Sequence, residues 1–435
     1  MIKPIRHETL TLDKIVGGGQ ALGTLEDGRK AFVWGGLPGE TVTIRVTKKK
    51  SHFIEGIVTE VVTAASERIA ARDPESFIST SPWQIMKLEN EQMYKAALIE
   101  EAFELHNIVL PNPIEVYSDE VIYEYRNKME YSWFSSTDAN SGTDTLDLAF
   151  FARGSKGKYP VDHSSLARPE ITALAKAVRD LLHAKHISAR QLKTLLIRSD
   201  QNGNAIWQLY LKDEIEDIIT EAEAAVLPAV GGEVIYSNPK SPASVITKRL
   251  ASFGATILED TILGTPFRYA VEGFFQVNIP VYEQALRDMG EWIDNKPTID
   301  LYSGVGSIGL TIGSDNTTLI EINEHAVREM RENIKRLGKT AKAVLAPSEQ
   351  ALEHITGSEV VIVDPPRAGL HADVIARLLE TKPERIIYLS CNPVTQARDI
   401  AMLAEGYGVR SHRGYNFFPR TPHIEHLVVL DRIEQ

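Results

Sequence analysis

The stretch Thr298-Ile299-Asp300-Leu301-Tyr302-Ser303-Gly304-Val305-Gly306-Ser307-Ile308-Gly309 reads as a buried strand running into a glycine-bearing turn and then a helix. Apolar and β-branched residues before Tyr302 suit a strand covered on both faces. The glycines let main chain come close to a ligand just before a helix N-terminus. A Gly-x-Gly turn is a weak signal alone, and its weight comes from what surrounds it. From about residue 280 onward, helical segments alternate with short buried runs at 319–322, 360–364, 385–390 and 427–430. That texture predicts an α/β fold with a doubly wound, mostly parallel sheet, whose chemistry belongs at the carboxyl ends of the strands.

Glu321 ends the strand after the turn, where a carboxylate can accept hydrogen bonds from both hydroxyls of a ribose. Turn and acid together point to an adenosine-containing cofactor. A nicotinamide dinucleotide normally meets three glycines that make room for its pyrophosphate. Here Asp300 leads the turn and the helix is expected to start early, which suits a cofactor without phosphates. S-adenosylmethionine carries an amino acid in the pyrophosphate's place, and its ammonium and sulfonium charges favour nearby carboxylates and carbonyls. Methyl transfer is therefore preferred to hydride transfer.

Two more strand ends, 363–369 and 389–393, carry Asp364-Pro365-Pro366-Arg367 and Ser390-Cys391-Asn392-Pro393 on proline-stiffened loops. A lone cysteine is commonly an inert core residue. At a strand's carboxyl end, Cys391 instead reaches the crevice, where the following turn's amides are expected to favour its thiolate. Glu425, in Thr421-Pro422-His423-Ile424-Glu425-His426 just before the last strand, is a candidate general base. No other nearby cluster completes a metal site with His423 and His426, which are read as orienting or packing groups.

The chain has 435 residues, 43% of them hydrophobic, enough for two or three domains at roughly 150 residues each. Its single cysteine excludes a disulfide framework and any iron–sulfur or multi-thiolate metal site built from this chain. No run approaches the roughly 18 apolar residues of a membrane span, and Met1-Ile2-Lys3-Pro4 lacks an apolar signal core. A soluble, cytoplasmic protein, expected as a monomer with no membrane partner, follows. With a net charge of −12, a polyanionic partner would have to be held by local basic patches.

Residues 9–62 hold short β-rich runs between glycine turns and are predicted to form a small antiparallel barrel, an OB-like fold. Between its last two strands lies Lys48-Lys49-Lys50-Ser51-His52-Phe53. It can be read as a solvated turn or as a phosphate-tracking run whose ring stacks on a base. A helix is predicted over 90–107, packing on the C-terminal domain. Region 121–265 mixes helices near 169–185 and 215–226 with strands at 193–198 and 205–210, joined through Asn202-Gly203-Asn204. It contains no catalytic motif, and its aromatics are read as core. The expected domains are a barrel over 1–62, a central α+β domain over 63–265 and a Rossmann-like domain over 266–435.

In order and spacing, Phe275-Gln276-Val277-Asn278, the turn after Asp300, Asp364-Pro365-Pro366-Arg367, Ser390-Cys391-Asn392-Pro393 and His423-Ile424-Glu425 resemble the RNA uracil-5-methyltransferase family. The segment 9–62 is similar to the TRAM domain, an RNA-binding barrel often fused to these enzymes. The resemblance implies that Gln276, Tyr302, Gly304, Ser307, Glu321 and Asp364 surround S-adenosylmethionine, and that Gln276 and Asp364 also meet the uracil. It further implies Cys391 as nucleophile and Glu425 as base. Many relatives carry a four-cysteine iron–sulfur cluster. Here the stretch 79–84 has no cysteine, so none is expected, and Ser303 stands where many relatives have another cysteine.

The implied product is 5-methyluridine in structured RNA, with ribosomal RNA favoured over transfer RNA by the fused barrel. Lys48, Lys49, Lys50 and Arg367 are candidate RNA contacts, with Arg398, Arg413 and Arg420 as further candidates for phosphate. The alternative outside enzymes is an RNA-binding protein that retains the fold, and an intact nucleophile, base and cofactor turn speak against it.

Overall fold

The computed structural model describes residues 6–137 and 144–433. The stretch 1–4, read above for the missing signal core, lies outside them, as do the outermost residues of the first and third expected domains. Alternating side chains turn inward along β1 (His7–Ile15), β2 (Ala21–Thr24), β3 (Lys30–Trp34), β4 (Thr41–Lys49) and β5 (Phe53–Thr63). These strands close into a barrel in the order β1-β2-β3-β5-β4, filled by Leu12, Val33, Val42, Ile44 and Ile54. The barrel is not wholly antiparallel as expected. β3 and β5 run parallel, because the chain crosses to β4 before returning instead of closing a hairpin.

After α1 (Phe77–Thr80) come α2 (Leu88–Glu104) and β6 (Val116–Tyr117). α2 buries Ile99, Ala102 and Phe103 in the C-terminal core, and β6 extends the C-terminal sheet. The stretch 88–117 thus packs with the third region while belonging to the second in sequence.

The central region contains β7 (Lys128–Phe134), β8 (Asp147–Phe151), β9 (Lys158–Pro160), α3 (Pro169–Ala184), β10 (Leu192–Ser199), β11 (Ala205–Leu211), α4 (Glu221–Ala224), β12 (Gly231–Tyr236) and β13 (Lys248–Gly254). Its seven strands run β13-β12-β11-β10-β7-β8-β9, with α3 covering one face through Leu174, Val178 and Leu182. The helix expected over 215–226 shrinks to α4. Ile218 and Ile219 are drawn into the core and Asp217 turns left-handed at φ 51°. Thr220 and Glu223 then form a reciprocal cap that starts the helix late.

A hairpin of β14 (Ile257–Ile262) and β15 (Thr265–Ala270) leads through α5 (Ile279–Gly290) into the third region. There follow β16 (Thr298–Leu301), α6 (Gly309–Ile312), β17 (Thr317–Glu321), α7 (Glu324–Leu337), β18 (Lys342–Leu345), β19 (Val360–Val363), α8 (Ala372–Thr381), β20 (Arg385–Ser390), α9 (Pro393–Leu403), β21 (Tyr407–Tyr415) and β22 (Glu425–Arg432). The eight-stranded sheet has the order β18-β17-β16-β19-β20-β22-β21-β6. Strands β16 to β20 are parallel and β22 is antiparallel to β20.

Strand order reverses at β16, the switch point where ligands settle in such sheets. The helix after the turn begins later than expected, because Asp300 Oδ2 accepts the Gly309 amide at 2.9 Å and so anchors the helix start there.

Central and C-terminal regions share one core: Leu196, Ile206, Tyr210 and Ile235 cluster with Phe275, Val305, Leu389 and Leu427. The opposite face of the C-terminal sheet takes Ile299, Leu301, Val363, Tyr388 and Val428 under α2, α8 and α9. By strand alternation, Asp300, Asp364, Cys391 and Glu425 all fall on the first of these faces.

Candidate active site

β20 and β22 are registered through Ser390 and His426. One further step sets Cys391 opposite Glu425, at the carboxyl end of the parallel strands. Glu425 is the first residue of β22, not a residue before it. Asp364 follows the last residue of β19 on the same face.

Glu425 is buried, while Cys391 and Asp364 are half-buried. Burial holds both carboxyls well above the ordinary carboxylate range, and the Asp364 charge lifts Glu425 further while Arg367 pulls it back. The Cys391 thiol is pushed up to about 11, first by burial and then by the Glu425 and Asp364 charges, against Arg367. The help expected from the turn's amides is therefore outweighed. Ionised carboxylates in a poorly solvated cleft work against a thiolate.

Three loops are tied together around these groups. Arg367 Nη2 lies 2.8 Å from His423 Nδ1. The Arg367 carbonyl accepts Asn392 Nδ2 at 2.9 Å and Thr395 Oγ1 at 3.1 Å, while Asn392 Oδ1 caps α9 at the Val394 amide. Burial and the cations Arg367, Arg126, Lys95 and Arg153 push His423 down to about 4. Its neutral ring can therefore accept from Arg367 at pH 7. His426 faces the other side of the sheet, bonded to Gln396 and His412. Among the described residues, no group of three or more His, Cys, Asp and Glu is placed to hold a metal.

The turn after β16 owes its shape to left-handed residues: Tyr302 at φ 66°, Gly304 at 56° and Gly306 at 87°. Ser303 Oγ donates to the Asp300 carbonyl at 2.5 Å and accepts the Ile320 amide at 2.9 Å. Glu321 accepts the Gly304 amide at 3.0 Å and the Asn323 amide at 2.7 Å. Ser307 Oγ lies 2.9 Å from the Tyr282 hydroxyl.

Asp300 is fully buried and pushed up to about 8, by burial first and then by Asp364 and Glu321. Its Oδ1 has no hydrogen-bond partner. A Cβ on Gly304 would meet nothing within 4 Å, so the turn leaves open space before the carboxylates. Gln276 is 8% exposed. The acids and the absence of Lys or Arg from 300–309 fit a cationic adenosine cofactor better than a pyrophosphate.

The phosphate candidates divide. Arg367 is exposed beside the site. Arg398 is partly exposed but bound to Asp399 and the Ala368 carbonyl, stiffening the loop after Asp364. Arg413 and Arg420 are corrected: each is already paired with carboxylates of the chain, and Arg420 is buried. Arg413 pairs with Glu115 and Asp288. Arg420 is 3% exposed and bound to Glu91 and the Met86 carbonyl.

On the barrel, Lys48 pairs with Glu55 and lies 5.6 Å over the Phe53 ring, which packs edge-on against Phe32. Lys49 and Lys50 are exposed, without a carboxylate partner among the described residues. Gly19, at φ 90°, brings the barrel onto the loop before Glu425. A Cβ there would stand 2.1 Å from Pro422 Cβ, so only glycine fits.

Sequence reading missed Arg126, whose guanidinium stands 5.7 Å from the Phe418 ring with no acidic partner among the described residues. It also missed Phe274 and Ile322, 72% and 66% exposed, directly flanking the Gln276 and Glu321 segments. Adjacency to the motifs was the available signal for the two apolar residues. None marked Arg126, which lies far from Phe418 in sequence.

Comparison with known proteins gives these features a setting. Residues 349–433, which include Asp364, Arg367, Cys391 and Glu425, match the tRNA (uracil-5-)-methyltransferase family, and residues 12–59 match the TRAM domain. A protein of Enterococcus faecalis named as an uncharacterized RNA methyltransferase is 28% identical over 92% of each chain. One of the same name from Caldanaerobacter subterraneus subsp. tengcongensis is 26% identical over 98% of each.

The chain is thus similar to RNA methyltransferases over nearly its whole length, and its C-terminal part to the tRNA (uracil-5-)-methyltransferase family. The crystal structure of the Pyrococcus abyssi tRNA (uracil-54, C5)-methyltransferase in complex with S-adenosyl-L-homocysteine shares the fold. Its TM-score is 0.79 at 20% identity, over 97% of this chain and 100% of that one. In this chain the cysteine-free stretch 79–84 is joined by polar bonds. Gln84 Nε2 donates to Asp73, Ser81 and Ser165, and Asp73 accepts from the Ser165 amide and hydroxyl.

Proposed function

We propose that the protein methylates carbon 5 of a uracil in structured RNA, with Cys391 as nucleophile, Glu425 as base and S-adenosylmethionine as donor. The observation that carries the reading is Cys391 facing Glu425 across β20 and β22, beside Asp364. Gln276, Tyr302, Gly304, Ser307, Glu321 and Asp364 are assigned to the cofactor on the open turn and its carboxylates.

Bound there, S-adenosylmethionine supplies an electrophilic methyl group. The residues do the rest. The Cys391 thiolate adds to carbon 6 of the uracil, forming an S–C bond and moving electron density to carbon 5 and the ring oxygen. Gln276 and Asp364 hold the uracil edge. A protonated Asp364, favoured by its raised affinity for protons, donates to developing charge on the ring. After carbon 5 has taken the methyl group, Glu425 removes its proton. The electron pair restores the ring's double bond and the thiolate leaves. The base must stand out of its stack to reach between the loops, which is least costly in a loop or single strand.

The fused barrel, with Lys48, Lys49 and Lys50, and Arg367 beside the site are assigned to the RNA. Large-subunit ribosomal RNA is the first target. Transfer RNA is the second reading, favoured by the Pyrococcus abyssi enzyme, whose entire length aligns with this chain, barrel included.

The test is methylation of unmodified total RNA with labelled S-adenosylmethionine, followed by fractionation and mass spectrometry of nucleosides. Label in 5-methyluridine that vanishes in Cys391→Ala, with a protein–RNA adduct accumulating in Glu425→Gln, is the expected result. RNA and cofactor binding without 5-methyluridine on any fraction would overturn the reading.

A further inference from the structure

Gln276 enters the site on the loop 270–277, yet the groups that grip this loop come from the central sheet. Arg198 on β10 is 1% exposed and makes no salt bridge among the described residues. Its Nη1 donates to the carbonyls of Ala270 (3.5 Å), Val271 (3.4 Å) and Gly273 (2.8 Å), and its Nη2 to that of Phe275 (3.0 Å). The guanidinium lies 5.1 Å from the Tyr269 ring, and its Nε is left without a partner.

Asn127, just before β7, completes the grip. Its Nδ2 donates to the Gln276 carbonyl at 2.9 Å and its amide to that of Val277 at 3.3 Å. Lys128 takes the Glu272 carbonyl at 3.3 Å, while the Glu272 carboxylate accepts Gln208 and Arg249. From Ala270 to Val277, every carbonyl except that of Phe274 is thus engaged by the central sheet or its leading residues.

A buried guanidinium with no carboxylate is costly, and a core needing only volume is better filled by an apolar side chain. What this one does is fix backbone. Its five donors in a rigid fork suit several carbonyls converging on one point. We infer that Arg198 is a positioning residue for Gln276, through which the central domain sets where that amide meets cofactor and uracil. The inference rests on the proposed role of Gln276.

The test compares wild type, Arg198→Met, Arg198→Lys, Gln276→Ala and the double variant Arg198→Met/Gln276→Ala. It measures S-adenosylhomocysteine affinity by calorimetry, and KM and kcat on the methylated RNA fraction. Circular dichroism and thermal melts check folding. A displaced reacting group costs rate steeply, so folded Arg198→Met is expected to lose about tenfold or more in affinity and in kcat/KM. Arg198→Lys should recover part of this, and the double variant should be no worse than Gln276→Ala alone.

Arg198→Met that folds and performs within about twofold of wild type, or losses that multiply with those of Gln276→Ala, would overturn the inference. Should Arg198→Met not fold, Arg198→Lys and a further double variant, Arg198→Lys/Gln276→Ala, decide. A deficit present with Gln276 and absent in the Gln276→Ala background supports the inference, and a deficit equal in both overturns it. Wild type that neither binds S-adenosylhomocysteine nor makes 5-methyluridine is a different failure, that of the underlying functional reading.

Discussion

Cys391 and Glu425 face each other one step beyond the Ser390–His426 pair of the antiparallel β20–β22 ladder. This proximity has a cost for the thiol. The nearer an ionised Glu425 stands, the less readily Cys391 ionises, and burial and Asp364 push the same way. A protonated Asp364 relieves part of this penalty when the thiolate forms, while Glu425 has to be free of its proton by the time it acts as base. Arg367 favours both the Cys391 thiolate and the Glu425 carboxylate.

The first prediction follows from that electrostatics. Cys391 is the chain's only cysteine, so iodoacetamide reports on it alone. Thiolate is the reactive form, and with the thiol at about 11 its fraction rises about tenfold per pH unit throughout the neutral and mildly alkaline range. The alkylation rate is expected to climb from pH 7 to pH 10 without a plateau. Arg367→Ala removes the lowering charge, so its rate should be slower at each pH. A plateau near pH 8.5, the range of a free cysteine, would contradict this account.

Glu321 provides a second prediction. Its carboxylate orients the Gly304 amide, and the proposed function assigns it to the cofactor. Hydrogen bonds to charged groups contribute about 1.5–3 kcal/mol each. Glu321→Ala is therefore expected to weaken S-adenosylhomocysteine binding by roughly ten- to a hundredfold, read by calorimetry. Binding unchanged in this variant would move the cofactor elsewhere.

Why so much of this centre was legible, and the rest not, follows from where the information sits. Strands β16, β19 and β20 carry their reactive residues at the end of a local run, so period and position alone placed Asp364 and Cys391 at one edge. Glu425 stood out as a base by its place before the last strand, but setting it opposite Cys391 needed the antiparallel return of β22, which local pattern does not show. Arg413 and Arg420 misled because their acids, Glu115, Asp288 and Glu91, lie far away in sequence. A charge looks free until its partner is brought to it. Likewise, the helix over 215–226 was read from composition, while burial of Ile218 and Ile219 and the Thr220 cap decided its start. The parallel pairing of β3 with β5 is a matter of chain path, to which side-chain alternation is blind.

The third prediction concerns the loop that leads into Glu425. Glu91 and Lys95 on α2 are fully buried and paired at 3.0 Å. They bind Asn416, the Phe418 carbonyl and the Arg420 amide. Lys95→Met leaves Glu91 with less compensation and is expected to cost about 3–5 kcal/mol in urea unfolding. Glu91→Gln/Lys95→Met should recover little of that loss, because it leaves the buried Arg420 without its carboxylate. Equal stability of wild type and Lys95→Met would mean that Arg420 alone balances Glu91.

The last prediction separates the two readings of the basic run on the barrel. All three lysines are exposed, but Lys48 is already engaged by Glu55 and Phe53. Each lysine that neutralises a phosphate releases counterions on binding. Removing it should weaken RNA binding at low salt and reduce the slope of log affinity against log salt by about one. Lys49→Ala and Lys50→Ala are therefore expected to lower the slope in steps, measured by filter binding across a salt series on the methylated RNA. Lys48→Ala should change it less, since the Glu55 charge already offsets that lysine. Identical slopes for wild type and the Lys49→Ala/Lys50→Ala variant would make the run a solvated turn and shift the phosphate contacts to the cleft side, where Arg367 and Arg126 stand.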